Sequence, residues 1–264
     1  LAGRIVFTCT RGGYNHLCTI NPDGSNLRQL TDGSFNDYYG SPTRDGQQII
    51  FSSNRSNAFR LYLVGINGDN PRQLPLELGD LAAPDLSPDG NWIIFTGIEE
   101  GDKSIWLARS DGSDPRLLCC EDSSEVDASW SPDGSRIAFA STLAGTVQLF
   151  TVNPDGSDLR QVTRDVDGIG GRSAWSPDGT QLVFYAGPWA DRDVYVVDVG
   201  SGEAHKLTDG GNNPGPSFSP DGNWIVFSSS RGGDHELYVM RRDGSDLRQL
   251  TENSGDDWQP RWGP

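Results

Sequence analysis

A repeat of about 44 residues constrains this chain more than any other feature it has. The stretch from Ser131-Pro132-Asp133-Gly134 to Gln161-Val162-Thr163 returns almost end to end along the 264 residues. Marked by the glycine of its first turn, the unit falls at Gly46, Gly90, Gly134, Gly179 and Gly222, in steps of 44, 44, 45 and 43. A second marker, the glycine of an NPDGS-like turn, falls at Gly24, Gly68, Gly112, Gly156, Gly202 and Gly244. One marker occurs six times and the other five, so one unit is broken. Periods of about 40–45 residues with four short strands each are the signature of a β-propeller, one unit per blade.

Each unit reads as four strands. In the copy ending at Thr163, Ala128–Ser131 is a short apolar strand and SPDG is a tight turn. Proline presets φ there, and Asp-Gly tolerates the positive φ that a hairpin needs. Arg136–Ser141 and Val147–Val152 carry the β-branched and aromatic residues of strands, and Leu159–Thr163 is a more polar outer strand. No segment sustains a 3.6-residue apolar period, so no helix is expected.

The broken unit says how the ring closes. Gly3-Arg4-Ile5-Val6-Phe7 matches the second strand, Ser135-Arg136-Ile137-Ala138-Phe139, while Gln259–Pro264 matches the first-strand lead-in to SPDG. The two termini are therefore expected to build one blade together, from 1–31 and 252–264. The other blades span about 32–75, 76–119, 120–163, 164–208 and 209–251. The expectation is an all-β, six-bladed propeller of one domain, four antiparallel strands per blade. Closure ties the ring shut and removes the open edge a broken unit would leave, and a monomer is expected. Two units depart from the pattern: Thr43-Arg44-Asp45-Gly46 is a degraded first turn, and Ala186–Asp193 is a longer loop carrying Trp189.

Charge excludes two classes of partner. The net charge of −16 does not suit nucleic acid or an anionic membrane, and no stretch is apolar enough to span a bilayer. The chain starts at Leu1 rather than Met, as expected of a domain from a longer precursor. Cys9 and Cys18 lie on adjacent strands of one hairpin and could approach. Cys119 and Cys120 are sequence neighbours, and a vicinal disulfide is rare. Four reduced thiols acting as small apolar residues are expected, which leans toward a reducing, cytoplasmic compartment.

Chemistry is sparse. There is no G-x-S-x-G elbow, and the three histidines, His16, His205 and His235, sit in edge or hairpin positions that assemble no triad. Asp165-Val166-Asp167-Gly168 lacks the remaining acids of a calcium loop, and the Asp-Gly-Ser-Asp runs fall in hairpin turns. Neither a metal nor another cofactor is expected. Trp130, Trp175 and Trp262 share one first-strand slot with Phe218 and Leu86, and Trp92 and Trp224 share a second-strand slot. These are core positions.

The pattern SPDG…F-S-S-x-R-x-G…LY-V…DGS…LRQLT resembles the repeat of TolB-type propellers over the whole chain. It is also similar to the N-terminal propellers of prolyl-oligopeptidase-like and tricorn proteases. The resemblance implies a six-bladed ring that binds proteins or peptides without chemistry of its own, in a bacterial and, for TolB, extracytoplasmic setting. TolB's additional α/β domain is not in this sequence, so its lipoprotein partner does not transfer. Nor does peptidase activity, since no catalytic domain is present. Oligogalacturonate lyases share the repeat but need a histidine-rich metal site that three scattered histidines do not supply.

Comparing the units with one another separates the two faces. The SPDG and DGS turns are near-uniform and lie on one face; the blade-connecting loops on the other vary, as in Phe35–Gly40, Glu121–Asp127 and Ser254–Gln259. Variable loops on a rigid scaffold are where binding usually sits. That face carries Tyr38, Tyr39, Trp189 and Trp258 beside carboxylates, a combination suited to a cationic peptide or protein patch. Four residues after the second-strand Phe, three units have an arginine: Arg11, Arg55 and Arg231. Each is matched with a lead-in partner, Asp257, Asp37 and Asn213, as structural pairs anchoring the loops. At the partner position the remaining units have Leu81, Gly170 and Glu125. Glu125 meets Leu143 where its arginine would be, which makes it the candidate ligand contact, with Asp127 and Glu121 adding to the local field. The expected function is a non-enzymatic binding module for a protein or peptide. Alternatives are the regulatory propeller of a peptidase and a lectin-like binder using Tyr39, Trp189 and Trp258.

Overall fold

The computed structural model describes residues 1–120 and 123–264. Among them are twenty-four strands and no helix, arranged as six four-stranded antiparallel sheets. Blade 1 runs outward as β24 (Asp257–Gly263), β1 (Arg4–Arg11), β2 (Tyr14–Ile20) and β3 (Arg28–Gln29). The C-terminal strand thus pairs with the N-terminal one, from Arg4↔Gly263 to Cys9↔Asp257. Blade 2 is β4 (Asp37–Pro42), β5 (Gln48–Ser53), β6 (Arg60–Gly65) and β7 (Arg72–Gln73). Blade 3 is β8 (Asp80–Leu86), β9 (Trp92–Glu99), β10 (Asp102–Arg109) and β11 (Arg116–Leu117). Blade 4 is β12 (Glu125–Trp130), β13 (Ile137–Ser141), β14 (Gln148–Val152) and β15 (Arg160–Gln161). Blade 5 is β16 (Ala174–Trp175), β17 (Gln181–Ala186), β18 (Asp193–Asp198) and β19 (Ala204–Lys206). Blade 6 is β20 (Ser217–Phe218), β21 (Trp224–Ser229), β22 (Glu236–Arg241) and β23 (Arg248–Gln249).

One phenylalanine per blade, at the centre of its second strand, anchors the core. Phe7, Phe51, Phe95, Phe139, Phe184 and Phe227 are all fully buried. Truncating one to Ala costs about 3–5 kcal/mol by precedent in other cores. In five blades the residue paired with it on the third strand is aromatic: Tyr62, Trp106, Phe150, Tyr195 or Tyr238. The first-strand tryptophans Trp130, Trp175 and Trp262 are buried at the blade interfaces, and Trp92 and Trp224 are each capped by an arginine at 4.0 Å.

The turns follow the repeat. In SPDG the Ser131 hydroxyl donates to Asp133 Oδ1 at 2.6 Å and accepts from the Arg136 N–H at 2.9 Å. In the DGS turn Asp155 Oδ1 accepts from both the N–H and the hydroxyl of Ser157, at 2.9 and 2.6 Å. Those bonds occupy the carboxylates of the calcium-like runs with turn chemistry.

The outer strands are shorter than their sequence suggests: β15 pairs only Arg160 and Gln161. The inner strands vary more. β24, β4, β8 and β12 are six or seven residues long, whereas β16 and β20 keep only two. Gly170 and Gly171 precede β16, and Pro214 and Pro216, which have no N–H to donate, precede β20.

The cysteine reading is overturned. No cysteine is free: Cys9 pairs with Cys18, and Cys119 with Cys120. Cys9 and Cys18 are a diagonal pair on β1 and β2, since Phe7 faces Cys18 and Cys9 faces His16. Their Cα atoms are 5.9 Å apart, within disulfide range. Cys18 occupies the slot that is aromatic in the other five blades, so the disulfide fills the space a ring fills elsewhere. The lean toward a reducing compartment rested on unpaired thiols and falls with them.

Candidate ligand-binding channel

The inner strands line the central channel, and four blades share a backbone irregularity there. β4, β8 and β12 each carry a bulge, between Tyr38 and Ser41, Ala82 and Asp85, and Val126 and Ser129. The pairing of β1 with β24 shifts similarly between Val6 and Thr8. The bulged residues Tyr39, Ala83, Asp127 and Gln259 all have positive φ, between 47° and 58°. A non-glycine residue there is uncommon, and four at equivalent positions show a feature of the blade design. Counting from the loop-anchor position, the residues two places on form one ring: Tyr39, Ala83, Asp127, Arg172, Gly215 and Gln259. Those four places on form a second: Ser41, Asp85, Ser129, Ala174, Ser217 and Arg261.

Two arginines from these rings bar the channel. Arg172, on the lead-in to blade 5, reaches the diametrically opposite blade 2, where Nη2 donates to the Gly40 carbonyl at 3.4 Å. Its guanidinium lies 5.3 Å from the centre of the Tyr39 ring. Arg261 on β24 likewise crosses to blade 5, donating to the Ser173 carbonyl at 2.8 Å. Asp85 is held from both sides, by the Ser41 hydroxyl at 2.8 Å and the Trp130 N–H at 3.0 Å. Asp127 accepts no hydrogen bond at its carboxylate among the described residues, and its N–H donates to Thr96 at 3.1 Å.

Burial raises the Asp127 carboxyl above the ordinary range, opposed by Arg172 and Arg261. Burial raises Asp85 as well, opposed by its bond from the Trp130 N–H. The Asp127 charge, then burial, pushes the Tyr39 hydroxyl upward. Burial, then the like charge of Arg172, lowers Arg261. A guanidinium starts high enough to stay cationic at neutral pH regardless.

The loop anchors sit one step outward. Arg55 Nη2 donates to both carboxylate oxygens of Asp37 at 3.1 Å, and its Nε to Ser53 at 2.9 Å. Arg11 meets Asp257 at 3.0 Å, and Arg231 meets Asn213 Oδ1 at 3.0 Å. All three pairs named from the repeat are therefore in contact. Two of the arginines also lie over rings, Arg55 4.4 Å from Phe35 and 4.8 Å from Tyr62, and Arg231 5.0 Å from Tyr238.

Glu125 needs correction as a surface contact. Its side chain faces Ser141 across the strand pair and is fully buried. Oε1 accepts from Ser123 and, at 3.4 Å, from Ser141, while Oε2 is buried and has no partner among the described residues. Desolvation pushes its carboxyl up to about 7. The repeat was read correctly to the extent that Glu125 has no arginine, but the anchor position is interior whatever residue fills it. Glu121 lies outside the described residues.

The other candidates divide between two places. Tyr38 packs against Tyr39, Phe59 and Trp258, with centroids 5.9–6.2 Å apart, at the mouth on the loop face. Trp189 stands apart from them on its longer loop, 82% exposed, with the Arg192 guanidinium 4.6 Å over its ring. Arg172, Arg261 and Asp85 were missed. The internal alignment held the signal, because each is a charge at a ring position where most blades have a small or neutral residue.

A cavity of about 400 Å³ opens on the opposite face, that of the uniform turns. Arg261 and Asp85 line it, with Trp130, Trp175 and Trp262 as walls. Among the described residues no group of three His, Cys, Asp or Glu side chains is arranged to hold a metal ion.

The fold has many solved counterparts. TolB from Acinetobacter baumannii superposes with a TM-score of 0.88 at 22% identity, over 99% of this chain and 67% of that one. A putative TolB from Agrobacterium tumefaciens gives 0.77 at 20% identity, over 100% of both chains. An oligogalacturonate lyase from Vibrio parahaemolyticus gives 0.63 at 16% identity, over 96% of this chain and 75% of that one. The ring therefore occurs in enzymes as well as in TolB, and at these identities the likeness concerns fold alone. No match is found among curated proteins. Residues 2–96 match the N-terminal region of dipeptidyl peptidase IV. Residues 76–264, well over half of the sequence, match the TolB beta propeller domain, and this chain belongs to that family.

Proposed function

We propose that this propeller is a non-catalytic binding module that holds a protein or peptide on its loop face. The observation that carries the reading is Trp189, a large apolar side chain 82% exposed on the one lengthened loop of the repeat. Packing does not account for it, and exposed tryptophans are favoured as interface anchors. Across the channel mouth the half-buried group of Tyr38, Tyr39 and Trp258 offers a second apolar patch. The arginine anchors hold the intervening loops, so little ordering cost is left for binding. The overall charge of −16 favours a cationic partner.

The test is capture and titration with the intact ring. A partner retained by the wild type should be lost with Trp189→Ala and Trp258→Ala, and kept with Asp155→Asn on the uniform face. Binding should weaken as salt rises. Retention by both tryptophan variants with loss in Asp155→Asn would place the partner on the wrong face for this reading. A second reading, a propeller regulating a peptidase domain, is favoured only by the match of residues 2–96 to the dipeptidyl peptidase IV region. Sequence flanking residues 1 and 264 separates the two.

A further inference from the structure

The cavity on the uniform-turn face has a feature that the loop-face reading does not use. Its rim is a third ring, three places beyond the second: Arg44, Pro88, Pro132, Pro177, Pro220 and Pro264. Five members are proline and one is arginine, supplied by the degraded turn of blade 2. Arg44 is exposed and makes no hydrogen bond or ion pair among the described residues. Arg261, on the adjacent blade 1, lies on the floor below.

The floor arginine has donors to spare. A guanidinium carries five N–H donors. Those of Arg261 are met, among the described residues, only by the carbonyls of Ser173 at 2.8 Å and Pro216 at 3.5 Å. Among the described residues no carboxylate lies within ion-pair distance of it, although Asp85 lines the same cavity. Each Asp85 oxygen takes one hydrogen bond, from Ser41 or from the Trp130 N–H, and each retains accepting capacity. The floor thus offers a cation and, separately, an acceptor. The walls are Trp130, Trp175 and Trp262 with Phe218. A volume of about 400 Å³ lies at the small end of ordinary ligand pockets.

We propose that this cavity binds a carboxylate on Arg261, with Arg44 at the rim adding a second positive charge, and that its ligand is the C-terminal residue of a peptide. A terminal residue presents a carboxylate for Arg261 and, three bonds away, an amide N–H that Asp85 accepts. Its side chain rests on the tryptophan walls, and the preceding chain leaves past Arg44. The bidentate fit of guanidinium to carboxylate gives the floor its specificity. The bound anion also relieves the repulsion between the Arg261 and Arg172 guanidiniums. A free small acid shares the carboxylate but lacks the amide, so the two sources are separable by experiment.

Four probes decide it: acetyl-Gly-Gly-Phe with a free C-terminus, the same peptide amidated, 3-phenylpropionate and 3-phenylpropionamide. Calorimetry gives affinities, and tryptophan fluorescence reports on the cavity wall. The expected result is that each acid binds at least tenfold more tightly than its amide. Arg261→Gln should abolish that preference. Arg44→Pro restores the residue that the other five blades have, so it should fold; it should weaken the acids severalfold and leave the amides unchanged. Trp189→Ala on the loop face should alter none of these values, which keeps this test independent of the proposed partner site. The peptide binding at least tenfold more tightly than 3-phenylpropionate assigns the site to chain termini. Equal affinities keep the carboxylate site but overturn the peptide assignment. Acids and amides binding alike, no binding of any probe, or acid affinities untouched by Arg44→Pro would overturn the site itself.

Discussion

Replacing Glu125 with Gln should stabilise the ring at neutral and alkaline pH and leave it unchanged in acid. The carboxyl ordinarily titrates near 4.5, but burial among blade 4 side chains moves it to about 7. A folded group with a raised pKa binds more protons than the unfolded chain between those values, so the wild type loses stability as pH rises through that window. At about 1.36 kcal/mol per pKa unit, the full gap corresponds to about 3 kcal/mol. The hydroxyls of Ser123 and Ser141 already oppose that rise; relaxation and water penetration around a buried charge trim the measurable cost to about 1–3 kcal/mol. Gln keeps the shape without the charge. Urea denaturation of both proteins from pH 4.5 to 8.5 supplies the comparison. The variant's advantage should grow from near zero at the acid end to about 1–3 kcal/mol above pH 8. Turn aspartates whose pKa values are lowered by hydrogen bonds, such as Asp155 and Asp243, slope the other way but cancel in the difference. A difference that stays flat across the window would refute the argument, because Glu125 would then ionise at no cost.

Three further outcomes follow from the same geometry. Arg55→Ala strands the buried Asp37 carboxylate and should cost about 1–3 kcal/mol; in a double-mutant cycle with Asp37→Ala, strict additivity would show that the 3.1 Å contact carries no coupling. Deleting residues 258–264 removes most of β24 and bares β1, so the truncated ring should aggregate or lose its cooperative melt; an unchanged melting curve counts against closure by the shared blade. Cys9→Ala with Cys18→Ala opens a loop of about ten residues and leaves a gap in the aromatic slot, for a loss of about 2–3 kcal/mol by loop entropy alone; equal urea midpoints for wild type and variant would contradict it.

The repeat determined the architecture without help from tertiary structure. Turn glycines spaced near 44 residues, a buried Phe in each second strand and the split unit at the termini demand six blades and a shared closing sheet. They demand this because such short strands bury their faces only by stacking on neighbours. The arginine anchors were legible for the same reason: a pair recurring in three blades is a local fact, repeated. What the tertiary structure alone decided lies where blades far apart in sequence meet. Whether Glu125 faces solvent or the interior depends on pairing with Ser141. Whether Cys9 and Cys18 bond depends on the twist that brings a diagonal pair to 5.9 Å. Arg172 and Gly40, 132 positions apart, become neighbours only when the ring closes and sets blade 5 across from blade 2. Periodicity reports what each blade shares, and the channel is built from the positions where the blades differ.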